Sequence, residues 1–195
     1  MKEPVKFGLI LLIFCAISAG LLSIVNGFTA PIIAQAELEK ALESYESIFG
    51  ETADSFQECD EAKLQSIREK YKNVDKIFVA QKGGKIVGYG VNVKASGFGG
   101  DMINAIGILL DGDKIVGFRN ISNQETQGFG SRITSEEYFP LYEGKSVAGP
   151  LELAVNPTEE NQVPWLTGAT VTSKAALEAD NVVVEVYNEI LKNEK

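Results

Sequence analysis

The strongest pattern along the chain is an unbroken apolar run near its amino end. Residues 7–25 spell FGLILLIFCAISAGLLSIV, and no charged residue occurs between Phe7 and Ala36. A helix needs ~20 apolar residues to cross the hydrocarbon core of a bilayer, whereas the apolar region of a cleaved signal peptide usually spans ~7–15 residues. The length of the run therefore predicts an uncleaved transmembrane helix, with a signal peptide as the alternative.

The pattern after the apolar run predicts two further helical segments. Apolar residues recur at helical spacing in each, as expected for one buried helix face. The first set is Leu38, Leu42, Tyr45 and Phe49, and the second is Leu64, Ile67, Tyr71 and Val74. We interpret the first set as an amphipathic stalk that leads out of the membrane.

From residue 76 the pattern of apolar and turn residues becomes that of β-hairpins. Residues 76–80 pair with 85–93 in the first predicted hairpin, and 102–110 pair with 114–121 in the second. The second hairpin closes on an Asp-Gly pair at Asp111, which favours a tight turn. A helical pattern returns from Thr134 to Phe139, where Pro140 ends or bends it.

A final helix is predicted to begin near Thr172 or Ser173 and to run towards Glu194. The fold class is therefore α+β, with one N-terminal transmembrane helix followed by an antiparallel sheet and its packed helices. We predict three regions: a cytoplasmic tip and transmembrane helix over 1–30, a helical stalk over 31–75, and an extracytoplasmic domain over 76–195.

Charge sets the expected orientation in the membrane. Lys2 and Lys6 precede the apolar run, whereas Glu37, Glu39 and Glu43 follow it. Basic residues favour the cytoplasmic side, so we expect a single-pass protein of the cell membrane with its main domain outside. The net charge of −9 at pH 7 argues against nucleic acid as a partner.

The composition also limits the chemistry. The chain has no histidine, and its two cysteines are Cys15, inside the apolar run, and Cys59. These residues offer no metal-ligand spacing. A histidine-dependent hydrolase and a histidine-ligated haem are therefore excluded, and any redox chemistry must come from an organic cofactor.

Residues 167–175, with the sequence TGATVTSKA, carry the most informative motif. Glycine permits close approach of another group to the backbone, and Thr172 and Ser173 are good helix caps. The following helix offers free N–H groups and a positive dipole end, to which Lys174 adds a full charge. The segment is typical of a phosphate site at a helix N-terminus, although an ordinary helix start has the same residues.

The stretch LTGATVTSKA resembles the flavinylation motif of the FMN-binding domain family. That family includes the G subunit of Rnf-type ferredoxin:NAD⁺ oxidoreductases and the C subunit of the sodium-pumping NADH:quinone oxidoreductase. The resemblance implies that Thr170 is esterified to the phosphate of a covalent FMN. It also implies that nearby residues hold the cofactor, namely Thr167, Gly168, Ala169, Thr172 and Lys174.

Two other blocks resemble the same family. Residues 123–130, NQETQGFG, resemble its Glu-Thr-Pro-Gly-Leu-Gly segment, and residues 97–102, GFGGDM, resemble its Gly-Tyr-Gly-Gly segment. The resemblance implies contacts to the flavin ring or ribityl chain from Glu125, Thr126, Gly128 and Phe129. Two positions depart from the family pattern: Pro164 stands where an Asp is common, and Gln127 where a Pro is usual.

The resemblance implies an electron-transfer subunit of an Rnf-type complex that couples electron flow to Na⁺ or H⁺ translocation. The chain would have no catalytic side chain and no substrate turnover of its own, and its redox chemistry would belong to FMN. Its expected partners are the other membrane subunits, the lipid bilayer and a flavin transferase that uses FAD and Mg²⁺ and releases AMP. The alternatives are a membrane-anchored sensor or ligand-binding domain without flavin, favoured by Pro164, and the C subunit of the quinone reductase.

Overall fold

The computed structural model describes residues 3–193, so Lys2 and Glu194 lie outside the described residues. Its helices are α1 (Glu3–Phe49), α2 (Glu61–Lys70) and α3 (Thr170–Glu189). Five strands form one sheet: β1 (Ser55–Glu58), β2 (Val74–Lys82), β3 (Lys85–Ser96), β4 (Asp101–Leu109) and β5 (Lys114–Ser122). Two short strands, β6 (Glu152–Ala154) and β7 (Gln162–Pro164), pair in parallel.

The predicted transmembrane segment lies within α1. Among the described residues, α1 is the one helix long and apolar enough to cross a membrane, with a mean hydropathy of 2.6 over its best window. Its large apolar side chains from Val5 to Ile33 are exposed, as lipid-facing side chains would be. The chain divides into two compact units after Lys40, and α1 continues without a break through Pro31.

The sheet is antiparallel throughout, with its strands in chain order from β1 to β5. The fold class predicted from the sequence and both predicted hairpins are confirmed. Strand β1 was not predicted, and it pairs with β2 from Ser55 opposite Gln81 to Glu58 opposite Phe78. The second compact unit begins at Ala41 and takes in much of the segment predicted as a stalk over 31–75.

The two faces of the sheet are covered by different helices. Tyr45 and Ile48, near the end of α1, lie over glycines of the central strands. A Cβ on Gly90 would fall 2.2 Å from Tyr45 Cε1, and one on Gly107 would fall 2.4 Å from Ile48 Cγ2. These glycines let the helix approach the strands closely.

Helix α3 packs across β3 and β4. Side chains alternate between faces along a strand, so the residues next to those glycines, Val91 and Ile106, point the other way. They join the apolar core with Val183 and Tyr187 of α3. This packing fixes where α3 begins relative to the sheet.

Three sequence predictions about helices are corrected by the structure. Val74, predicted to lie on a helix face, begins β2 after α2 has ended at Lys70. The segment predicted as helical from Thr134 to Phe139 contains no α-helix, and 3₁₀ turns flank it at Gly130–Thr134 and Phe139–Tyr142. Helix α3 begins at Thr170 rather than at Thr172 or Ser173. The reason is that the Ser173 N–H bonds to the Ala169 carbonyl at 2.9 Å, so Ala169 takes the N-cap position.

Candidate functional site

An open cleft of about 390 Å³ lies at the start of α3. We call it the α3 cleft. Two segments form it, one after β5 and one around the first turn of α3, with one aromatic residue from the loop between β3 and β4. Its lining residues are Phe98, Glu125, Thr126, Phe129, Gly130, Gly168, Ala169, Thr170, Val171 and Thr172.

Most of the residues that sequence reasoning singled out come together in this cleft. The lining contains seven of them: Glu125, Thr126, Phe129, Gly168, Ala169, Thr170 and Thr172. Three others lie outside the lining, namely Thr167, Gly128 and Lys174. Sequence reasoning missed Phe98, Gly130 and Val171, although all three belong to family-like blocks that it had identified.

Glu125 is fixed by contacts from both sides of the cleft. The Thr172 hydroxyl donates to Glu125 Oε2 at 2.6 Å, and the Gly99 N–H donates to Oε1 at 3.0 Å. Side chains at the neighbouring glycines would displace it, because a Cβ on Gly97 or Gly130 would lie 2.1 or 2.2 Å from a carboxylate oxygen. The glycines in both family-like blocks therefore make room for one carboxylate.

The hydroxyl groups near the start of α3 differ in what they can do. Thr172 is buried and donates to Glu125, and the buried Ser173 hydroxyl donates to the Ala169 carbonyl at 3.0 Å. Thr167 is exposed but lies outside the lining of the cleft. Thr170 is exposed and also lines the cleft. Thr170 is therefore the hydroxyl-bearing residue of this segment that is both exposed and part of the cleft lining.

The N-terminus of α3 is suited to a phosphate group. Its N-cap residue is Ala169, which has no side-chain oxygen with which to cap the first-turn N–H groups. Gly168, with a φ of 83°, supplies the left-handed turn that leads into the helix. An anion attached to Thr170, at the first helical position, would meet free N–H groups and the positive end of the helix dipole.

The rest of the cleft suits a planar aromatic group. Phe98, Phe129 and Val171 are 73%, 56% and 50% exposed, so an apolar rim stands open to solvent. Among the described lining residues, Glu125 carries the only charge. An isoalloxazine ring fits such a rim because it offers two apolar faces and a polar edge. The residues present therefore fit FMN: the first turn of α3 would hold its phosphate, and the apolar rim would hold its ring.

Arg132 joins the two segments of the cleft and was also missed by sequence reasoning. Its guanidinium donates to the carbonyl of Thr167 and, at 3.2 Å, to the carbonyl of Phe129. Phe129 in turn packs beside Gly168, where a Cβ would lie 3.6 Å from its ring. Thr167 thus contributes through its backbone.

Two protein-family models each match part of the chain. The RnfG N-terminal region matches residues 1–48, and the FMN-binding domain matches residues 97–185. The second match contains every residue that lines the α3 cleft. The family resemblance deduced from the motifs is therefore confirmed.

The chain is similar over most of its length to two curated relatives. One is the G subunit of the Na(+)-translocating ferredoxin:NAD(+) oxidoreductase complex of Acetobacterium woodii, which is 29% identical over 199 residues, with 98% of this chain and 95% of the relative covered. The other is the G subunit of the proton-translocating ferredoxin:NAD(+) oxidoreductase complex of Clostridium ljungdahlii. It is 27% identical over 175 residues, with 90% of this chain and 86% of the relative covered.

A solved structure shows the same fold. It is the C subunit of the Na(+)-translocating NADH-quinone reductase from Parabacteroides distasonis, which superposes with a TM-score of 0.56 at 17% sequence identity. The superposition covers 73% of this chain and 80% of that one. At this level of identity the likeness concerns the fold alone.

Proposed function

We propose that this chain, a member of the RnfG family with an FMN-binding domain, is the membrane-anchored FMN subunit of an ion-translocating ferredoxin:NAD oxidoreductase complex. We further propose that its FMN is held by a phosphoester bond to Thr170. The observation that carries the covalent assignment is the position of Thr170. It is exposed, lines the α3 cleft and stands at a helix N-terminus whose cap residue is Ala169.

The attachment is a phosphoryl transfer to Thr170. The Thr170 oxygen would attack the flavin-side phosphorus of FAD and lose its proton, while the pyrophosphate bond breaks and AMP leaves. A flavin transferase with Mg²⁺ would supply the catalysis. After transfer, the first-turn N–H groups of α3 would stabilise the phosphate charge.

When bound, FMN supplies the electron-transfer chemistry. The chain's own residues position the cofactor and set its electrostatic surroundings. Phe98, Phe129 and Val171 would shield the ring faces from water, and Arg132 would keep the two cleft segments together. Glu125, fixed by Thr172 and Gly99, would place a negative charge beside the ring.

Helix α1 and the relatives support a location, an orientation and a set of partners in the cell. The apolar segment of α1, together with the membrane-complex relatives, supports a location in a membrane. The basic residues before this segment and the acidic residues after it support a single pass with the domain outside. The partners would be the other subunits of the complex, which receive electrons from this FMN or deliver them to it. Protease should therefore digest the domain in right-side-out vesicles and spare it in inverted ones.

Flavin fluorescence in a denaturing gel tests the attachment. The protein made together with a flavin transferase should fluoresce, because a phosphoester survives denaturation. Thr170→Ala should abolish the signal. The matched control is Thr158→Ala, an exposed threonine outside the α3 cleft, which should leave it unchanged. Fluorescence that persists in Thr170→Ala would refute the assignment. Absence of fluorescence in the unaltered protein would favour a sensor without flavin.

A further inference from the structure

Asp180 is a fully buried carboxyl group in the middle of α3. Its Oδ1 accepts a hydrogen bond from Asn104 Nδ2 at 3.4 Å, and its Oδ2 accepts one from the Tyr142 hydroxyl at 2.8 Å. It does not line the α3 cleft. Burying a carboxyl group is costly unless its hydrogen bonds are satisfied. The hydrogen bonds from Asn104 and Tyr142 are therefore what makes burial of the Asp180 carboxyl group tolerable.

The Asn104 contact begins a chain of side-chain amides that we call the amide arm. Asn120 Nδ2 donates to Asn104 Oδ1, and Asn123 Nδ2 donates to Asn120 Oδ1, each at 2.8 Å. The backbone N–H of Glu125 then donates to Asn123 Oδ1 at 3.0 Å. The amide arm thus runs from the buried carboxyl group to the residue that places a charge in the cleft.

All three amides of this arm point the same way. Each presents its NH₂ group towards Asp180 and its carbonyl oxygen towards Glu125. If one amide were reversed, its NH₂ group would face another N–H donor on one side, and its carbonyl oxygen would face another acceptor on the other side. The three amides are therefore oriented as a unit. An acceptor at Oδ1 of Asp180 therefore fixes the direction of the whole arm.

The Tyr142 contact begins a second chain, the tyrosine arm. The hydroxyl oxygens of Tyr142 and Tyr138 are 3.3 Å apart, and the Tyr138 hydroxyl donates to the Pro164 carbonyl at 3.3 Å. Pro164 ends β7 shortly before the first turn of α3. This arm therefore ends at the segment that carries Thr170.

We propose that Asp180 is a positioning residue of the flavin site, which holds the Glu125 segment through the amide arm and the Pro164–Thr170 segment through the tyrosine arm. The proposal rests on the proposed function for the role of the cleft. The geometry that it describes is independent of any cofactor. Because both arms end at one carboxyl group, a change at Asp180 reaches both sides of the cleft.

The protonation state of Asp180 acts on the two arms differently. Burial raises the pKa of this carboxyl group to about 7, although the hydrogen bonds from Tyr142 and Asn104 oppose the rise. The titratable groups that face it are the phenols of Tyr142 and Tyr138, and burial raises the pKa of both. With a proton on Oδ2, the bond to Tyr142 reverses: Asp180 donates to Tyr142, Tyr142 donates to Tyr138, and Tyr138 donates to the Pro164 carbonyl. Oδ1 remains an acceptor for Asn104.

Asparagine at this position reproduces the neutral state. Its oxygen can accept from Asn104 while its NH₂ group donates to Tyr142. Asp180→Asn should therefore keep both arms, whereas Asp180→Ala removes the end point of both. Two further variants separate the arms, since Asn120→Ala cuts only the amide arm and Tyr142→Phe cuts only the tyrosine arm.

The matched control is the next residue on α3. Asn181 makes two hydrogen bonds to the backbone of Leu151, at 2.7 and 3.1 Å. It belongs to neither arm. Asn181→Ala therefore removes a comparable number of interior contacts from the same helix without touching the path to the cleft.

Hydrogen exchange by mass spectrometry tests the proposal. It is done on the full chain in detergent, made without a flavin transferase. Asp180→Ala and Asn120→Ala should speed exchange at the Glu125 amide roughly two- to tenfold, the effect of losing one net hydrogen bond. Asp180→Asn should stay near the unaltered protein. Tyr142→Phe should speed exchange at the amides of residues 165–170, since Pro164 has no N–H. Asn181→Ala should speed exchange only near Leu151.

The proposal is overturned if Asp180→Ala and Asn120→Ala leave the exchange rate of the Glu125 amide unchanged, or if Asn181→Ala speeds that exchange as much as they do.

FMN loading in the presence of the transferase is measured separately. Asp180→Ala should load less FMN than Asn181→Ala. A chain that takes no FMN would refute the proposed function, while the exchange pattern would still decide the role of Asp180. If Asp180→Ala does not fold, Asn120→Ala and Tyr142→Phe decide it.

Discussion

Thr172 on α3 donates a 2.6 Å hydrogen bond to the carboxylate of Glu125, which lies 47 positions earlier in the chain. This bond joins the two segments that form the α3 cleft. The Thr172 hydroxyl thus serves this contact and caps no helix end, and α3 begins at Thr170 with Ala169 as its N-cap. This contact thus holds the charged group of the cleft against the first turn of α3.

Gly130→Ala should disrupt this contact. The added Cβ would lie 2.2 Å from Glu125 Oε2 and 2.6 Å from Thr172 Oγ1, so the pair must separate. Overpacking of this kind costs about 1–3 kcal/mol. Denaturant unfolding should show that loss, together with reduced FMN loading. Gly149→Ala is the control, since a Cβ there meets nothing within 4 Å, and equal effects of the two variants would contradict the account.

Glu125→Gln should raise the midpoint potential of the bound flavin. The carboxylate opposes the negative charge that reduction adds, and glutamine keeps an oxygen for the Gly99 N–H and an amide for Thr172. We expect a shift on the order of tens of millivolts, given that about 59 mV corresponds to a tenfold change for one electron. Spectroelectrochemical titration measures it.

The control for this titration is Glu178→Gln, an exposed position on α3 outside the α3 cleft. It removes the same charge and should leave the potential nearly unchanged, because exposed charges are screened by salt. A lowered potential in Glu125→Gln would show that the carboxylate does not act on the flavin in this way.

The pH dependence of stability should reveal the buried carboxyl group. Burial raises the pKa of Asp180 from 3.8 to about 7, so between these values the folded chain binds a proton that the unfolded chain has released. The favourable contribution is complete below the unfolded pKa and is lost as pH rises through 7, at about 1.4 kcal/mol per pH unit.

Asp180→Asn removes this dependence because its amide stays neutral. The unfolding free energy of the unaltered protein, relative to Asp180→Asn, should therefore fall from pH 5 to pH 7 and level off above. Trp165 fluorescence can follow unfolding in urea. Asn181→Ala should keep the pH dependence of the unaltered protein. A difference between the unaltered protein and Asp180→Asn that is constant with pH would contradict the raised pKa.

The sequence was sufficient for the apolar helix and both hairpins because their signals are local. Apolar length, strand alternation and the Asp-Gly turn each lie within a few residues. Strand β1 escaped prediction because Ser55–Glu58 has one apolar residue, Phe56, and owes its conformation to pairing with β2. The start of α3 was predicted two residues late because its N-cap is Ala169, which has no capping side chain for a sequence pattern to reveal.

The α3 cleft was predictable only through its resemblance to a known family. The motif alone also fitted an ordinary helix start. The amide arm was not predictable at all, since Asn104, Asn120 and Asn123 look like strand and turn residues in the sequence. Only the fold aligns their amides in one direction towards Asp180. Side-chain direction of this kind depends on the packing of α3 against the sheet.

The covalent flavin at Thr170 is the central claim, and the intact mass of the purified full-length protein tests it most directly. Made together with a flavin transferase, the protein should gain the mass of one FMN residue. Fragmentation should place that mass on Thr170, and Thr170→Ala should have the unmodified mass. An unmodified mass in the unaltered protein, or an FMN found on Thr167 or Thr172, would contradict the account.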